Sequence, residues 1–127
     1  MAKQYKNLGM AFFLLALSII IGAFAAHGLE AQLAEKYLKT FKTGVFYHQL
    51  HAVGLILLSL TEVSFKIKVN WERPLLYLGI LLFSGNCYIY AITQIKLFAL
   101  IVPFGGVSFI AAWLILAYKS FKFSKAE

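Results

Sequence analysis

The sequence predicts an all-α integral membrane protein: four transmembrane helices in an antiparallel bundle, with a short amphipathic helix between the first two. Three observations predict it. The 127 residues are 61% hydrophobic and only 13% charged, more apolar surface than one small water-soluble core buries. The 12 basic and 5 acidic residues fall only in 1–6, 30–42, 62–73, at Lys96 and in 119–127. The stretches between them, 7–29, 43–61, 74–95 and 97–118, carry no charge and run to 23, 19, 22 and 22 residues, and about 20 apolar helical residues cross a bilayer's hydrocarbon core. In lipid, backbone polar groups must be satisfied within each segment, and four spans cannot close a β-barrel, so the spans are helices.

The first span, approximately 7–29, follows Lys3 and Lys6 and ends near Ala23-Phe24-Ala25, which resembles a secretory signal. Its apolar run is long for a signal peptide and three further spans follow, so it is expected to stay as a helix. In segment 29–42, Leu29, Leu33, Tyr37 and Phe41 recur every fourth residue while Glu30, Glu35, Lys36, Lys39 and Lys42 fall mostly elsewhere. That pattern predicts an amphipathic helix, too short to span, lying on the outer leaflet or packed by one face on its own protein. The second span covers approximately 43–65. A longer loop closes at Arg73-Pro74, where proline suits a helix's first turn. The third and fourth spans, approximately 74–95 and 97–118, leave only Thr93-Gln94-Ile95-Lys96 for a tight antiparallel hairpin.

No Pro/Gly/Ser-rich linker divides the chain, so residues 1–127 form one domain. Small residues mark where helix backbones approach closely in lipid. Gly22 and Ala26 in the first span, Gly44 in the second, Gly85 with Gly79 in the third, and Gly105 and Gly106 with Ser108 and Ala112 in the fourth are the expected packing positions. Pro103 with Gly105-Gly106 is the expected place for irregular backbone.

A net charge of +7 is the kind of balance that nucleic-acid binding produces, but the loops account for it better. With the N-terminus inside, Lys3, Lys6, Lys66, Lys68, Arg73, Lys119, Lys122 and Lys125 lie on the cytoplasmic side, and only Lys36, Lys39, Lys42 and Lys96 lie outside. Positive residues are retained in cytoplasmic loops. The protein is therefore expected to be multi-pass in the inner (plasma) membrane, with both termini cytoplasmic and no nucleic-acid partner. Cys87 is the single cysteine, so no intrachain disulfide forms. The chain has no Asp, and Glu30, Glu35, Glu62 and Glu72 fall in the loops between spans, so paired-carboxylate catalysis has no intramembrane basis. No Gly-rich phosphate loop, Cys-x-x-Cys or nucleophile elbow occurs, and an enzyme is not expected.

The polar residues within the spans carry the remaining chemistry. On the expected boundaries His27 closes the first span, and His48 and His51 occupy the first turns of the second, on the stripe Gly44, His48, His51, Leu55. The stripe Gly79, Phe83, Asn86, Tyr90 places Asn86 in the outer half of the third. These four polar groups would meet at one level as a pocket open to the outer side. His27, His48 and His51 are candidate zinc or copper ligands, and haem would need His27 opposite His48 or His51. The alternative is that each imidazole hydrogen-bonds within the bundle and clamps helices together, in which case no cofactor is expected.

The runs Gly22-Ala23-Phe24-Ala25-Ala26-His27-Gly28-Leu29, Phe41-Lys42-Thr43-Gly44-Val45-Phe46-Tyr47-His48-Gln49-Leu50-His51-Ala52, Phe83-Ser84-Gly85 and Pro103-Phe104-Gly105-Gly106 with Trp113 resemble the YgdD-like family, also called domain of unknown function 423. The resemblance implies a small four-helix inner-membrane protein with no established activity. The sequence departs from the family pattern at Ala25, where Gly is usual, and at Asn86-Cys87, where Ser-Leu is usual. The functional expectation is a structural or accessory protein whose partners are membrane lipid, a second copy or another membrane protein. The alternative is a small transporter or ligand-binding protein using the histidine pocket.

Overall fold

The computed structural model describes residues Met1–Ser124. Four helices are long and apolar enough to cross a membrane: α1 (Ala2–Leu29), α2 (Glu35–Ser64), α3 (Glu72–Thr93) and α4 (Lys96–Ser124). Successive helices run antiparallel, and their backbones pack in chain order, α1 on α2, α2 on α3 and α3 on α4. All four contribute to one core of Ala11, Leu55, Leu58, Leu76, Ile80, Phe109 and Ala112. Within their apolar stretches, 50% of α2 but only 17% of α1 is buried, so α2 is the central helix. Phe12, Phe13, Ile19, Ile20 and Phe24 of α1 are among the large side chains left exposed, as lipid-facing positions are.

The amphipathic segment does not form a separate helix. After a turn at 30–32, α2 starts at Glu35 and runs unbroken to Ser64. Glu35, Lys36, Lys39 and Lys42 are exposed, while Phe41 and Val45 are buried with Ala25, Leu29 and Ala91. Tyr37 meets Tyr90 edge-on at 5.7 Å, and Phe41 lies 4.9 Å from Tyr88. The expected apolar stripe is real, but it packs on α1 and α3 as the first turns of a helix longer than the hydrocarbon core requires.

The two ends of α3 follow the sequence reading. Pro74 lies in its first turn, and only Gln94 and Ile95 separate Thr93 from Lys96, with Gln94 left-handed at φ 60°. The irregular backbone is elsewhere than expected. Pro103 is exposed within an unbroken α4, whereas π-helical turns widen α1 at Ala25–Leu29 and α3 at Ile80–Gly85.

Glycines explain how the wide turn of α3 fits. A Cβ on Gly44 of α2 would come within 2.8 Å of Cys87 Cβ and 3.2 Å of Ser84 O. A Cβ on Gly105 of α4 would collide with Phe83 N and stand 2.8 Å from Leu82 C. The π turn is thus held between two side-chain-free surfaces, where close backbone approach stands in for the absent hydrophobic drive. A Cβ on Gly22 would stand 3.1 Å from Val45 Cγ1, and one on Gly79 would overlap the Phe109 ring. Gly54, which the sequence reading did not single out, would come within 2.8 Å of Trp113. Ala26 is exposed, and Gly85 and Gly106 meet nothing nearer than 3.9 and 3.8 Å, so these three are not tight packing positions.

Candidate functional site

Because α2 starts at Glu35, His48 lies thirteen residues inside it, about 20 Å along the axis at 1.5 Å per residue. His48 and His51 are therefore near the middle of the helix rather than in its first turns. Gly22 is level with Val45 and Gln49, so His27, five residues further along α1, lies beyond them towards the α1–α2 connection and is exposed. The expected gathering of His27, His48, His51 and Asn86 at one level does not form. Among the described residues no three metal-ligating side chains come together, and His27 does not face His48 or His51 across a gap.

His48 and His51 share a face of α2 but look to different neighbours. His48 Nδ1 shares a 3.0 Å hydrogen bond with the Tyr88 hydroxyl of α3. With the hydroxyl donating, the ring proton sits on Nε2, which is buried and has no hydrogen-bond partner. His48 therefore links α2 to α3. His51 Nδ1–H donates to Tyr47 O one turn back (2.7 Å). Its ring stacks on Phe109 of α4 at 3.4 Å and 5°, with Tyr47 and Trp113 about 6 Å away.

The other polar groups at this depth are likewise turned to the bundle. Asn86 Nδ2 donates to Leu82 O (2.8 Å) inside the widened turn of α3. Ser108 of α4 donates to Leu75 O of α3 (2.7 Å), and Ser18 donates to Leu15 O (2.6 Å). Two buried atoms, His48 Nε2 and Ser84 Oγ, have no hydrogen-bond partner.

A second polar cluster, which the sequence reading assigned to loops, lies where α2, α3 and α4 meet. Arg73 is 7% exposed and donates to Ser59 Oγ (3.0 Å) and Glu62 Oε2 (3.1 Å) of α2. Glu72 is fully buried; its Oε2 accepts from the Asn70 and Trp71 backbone amides, both at 3.1 Å, and its Oε1 pairs with Lys119 Nζ of α4 at 2.7 Å. Lys119 also donates to Lys68 O (2.8 Å). The one signal in the sequence was the pairing of Glu62 with Arg73 and of Glu72 with Lys119 in count and sign. Their spatial match depends on α4 returning beside the loop.

The cavities lie at the ends of the bundle. One of about 740 Å³ opens between the α2–α3 loop and α4, and a neighbour of about 460 Å³ lies between Thr61, Ile67 and Leu116. Lys6 and Met10 of α1 line a groove with Tyr77 of α3, so the start of α1, the α2–α3 loop and the end of α4 share one end of the molecule. Lys125 lies outside the described residues.

Comparison with known proteins agrees with this architecture. Residues 21–106 match the family described as "Protein of unknown function (DUF423)". A UPF0382 membrane protein of Staphylococcus haemolyticus is 45% identical over 84% of this chain and 88% of its own. Another from Staphylococcus saprophyticus is 45% identical over 80% and 84%, and UPF0382 membrane protein YwdK of Bacillus subtilis is 39% identical over 95% and 98%. No solved structure matches the chain.

Proposed function

The chain belongs to the DUF423 family, and on that premise we propose that it is a non-enzymatic accessory protein of the plasma membrane that binds lipid or another membrane protein. One observation carries this reading. The mid-membrane imidazoles and amide are directed at the protein's own groups, His48 at Tyr88, His51 at Tyr47 O and Phe109, and Asn86 at Leu82 O. The His48–Tyr88 bond and the His51–Phe109 stack join helices, the other two bonds return to the residue's own helix, and groups so engaged are not presented to a ligand. The lysine-rich end that joins the start of α1 to the loop and α4 faces the cytoplasm in this reading, in line with the excess of positive residues there.

Replacing both imidazoles by Gln tests it. His48→Gln/His51→Gln is expected to lower the unfolding midpoint in detergent, and Tyr88→Phe, which removes only the hydroxyl bonded to His48, to cost about 1 kcal/mol. Wild-type protein purified without chelator is expected to carry no stoichiometric metal and no Soret band. A double variant of unchanged stability that loses a metal or haem held by the wild type would overturn the accessory reading. The second reading, a small-ligand site, draws on the two buried polar atoms left unpartnered, His48 Nε2 and Ser84 Oγ, since such atoms are costly without a partner.

A further inference from the structure

We propose that the cavity between the α2–α3 loop and the end of α4 binds the headgroup of an anionic phospholipid. This deepens the accessory reading and rests on its lipid-binding branch. The cavity is about 740 Å³, within the range of small-molecule sites. Lys66 and Lys68 of the loop and Lys119 and Lys122 of α4 surround it, and Ile115 and Tyr118 supply an apolar wall. Three lysines free of ion pairs among the described residues, beside Lys119 and over an apolar wall, fit a phosphate joined to a glycerol and acyl chains better than a free anion. Basic pockets of this kind between spanning helices are suited to anionic headgroups.

Two features distinguish this cluster from lysines that merely orient the chain. The ammonium of Lys119 is fixed, by Glu72 Oε1 at 2.7 Å and Lys68 O at 2.8 Å. Among the described residues, Lys66, Lys68 and Lys122 form no ion pair, because Glu62 and Glu72 are committed to Arg73 and Lys119. Lys66 also holds a left-handed backbone (φ 55°) where the chain leaves α2, a position that glycine would fill with less strain. Exposed Trp71 and Tyr118 stand at the same end, where amphipathic aromatic rings sit at headgroup level.

The test offers the full-length protein equal amounts of phosphatidylglycerol and phosphatidylcholine in mixed micelles and counts bound lipid by native mass spectrometry. Three variants of the experiment accompany it: Lys66→Gln/Lys68→Gln/Lys122→Gln, the charge-matched control Lys36→Gln/Lys39→Gln/Lys42→Gln, and wild type with excess inorganic phosphate. Each lysine near an anionic surface contributes about fivefold, so the first triple variant is expected to lose at least about tenfold of the wild-type preference for phosphatidylglycerol. The control is expected to keep that preference, inorganic phosphate to leave it in place, and both variants to keep the wild-type unfolding midpoint. Equal losses in the two triple variants would mean that net charge alone selects the lipid, and full displacement by phosphate would mean a simple anion site; either overturns the proposal. Phosphatidylglycerol and phosphatidylcholine retained equally by the wild type would overturn this site while leaving lipid binding standing. Retention of neither lipid would overturn both.

Discussion

Lys119→Met should destabilise the bundle far more than Glu72→Gln, although the two side chains form one ion pair. At 2.7 Å and an effective dielectric constant of about 20, the pair's attraction is about 6 kcal/mol, offset by the cost of removing both charges from water. The two substitutions differ in what they leave behind. The Glu72 side chain is fully buried and Lys119 is 24% exposed. Lys119→Met strands a carboxylate in the interior, which costs about 3 kcal/mol at the lower end of the range for a broken buried pair. Glu72→Gln keeps an oxygen to accept the Asn70 and Trp71 amides, and the lysine can turn to water while holding Lys68 O, so its cost is about 1 kcal/mol. In the double variant no charge is stranded and the loss should fall below that of Lys119→Met alone, giving a coupling of about 2 kcal/mol. Unfolding of the four proteins in mixed detergent micelles, followed by far-ultraviolet circular dichroism, measures all terms. Equal losses in the two single variants, or strict additivity in the double, would refute the assignment of Glu72 as a buried charge dependent on Lys119.

Gly105→Ala places a Cβ against the Phe83 backbone, which no side-chain rotation relieves, and should cost about 1–3 kcal/mol in the same assay. Gly85→Ala, whose new Cβ meets nothing nearer than 3.9 Å, should be neutral or slightly stabilising because alanine favours helix over glycine. A reporter fused after Glu127 should be active in the cytoplasm, and one inserted at Ala34 should be active only on the outer side. The reverse pattern would place the lysine-rich end outside.

The four spans were legible because burial in lipid excludes charge, and that exclusion is written along the chain. The start of α2 was not, because charge marks where the hydrocarbon core ends and not where the helix ends. Glu35, Lys36, Lys39 and Lys42 occupy an exposed face of α2, while Tyr37 and Phe41 on the opposite face hold those turns against α1 and α3. Assigning residues 35–42 to a separate amphipathic helix rather than to α2 moved His48 and His51 from its middle to its mouth, and the outer-side pocket followed from that shift. The Tyr88 and Phe109 partners were out of reach of sequence spacing, since they come from α3 and α4. The π turn at Ile80–Gly85 was hidden for a similar reason: it depends on Gly44 and Gly105, from two other helices, leaving room on both sides.

The balance of charge differs between the two ends of the bundle. Among the described residues the loop end carries Lys3, Lys6, Lys66, Lys68, Arg73, Lys119 and Lys122 against Glu62 and Glu72, seven positive and two negative, a surplus of five. The opposite end carries Lys36, Lys39, Lys42 and Lys96 against Glu30 and Glu35, a surplus of two. Both described acids of the loop end are engaged in ion pairs that link α2, α3 and α4, so among the described residues Lys66, Lys68 and Lys122 have no carboxylate partner. In the proposed lipid site their counter-charge is a headgroup phosphate, at the end where Tyr118 and Trp71 are exposed. The ion pairs that stabilise the fold and the ammoniums at its cavity are therefore two outcomes of one distribution: carboxylates sufficient for Arg73 and Lys119 and, among the described residues, none for Lys66, Lys68 and Lys122.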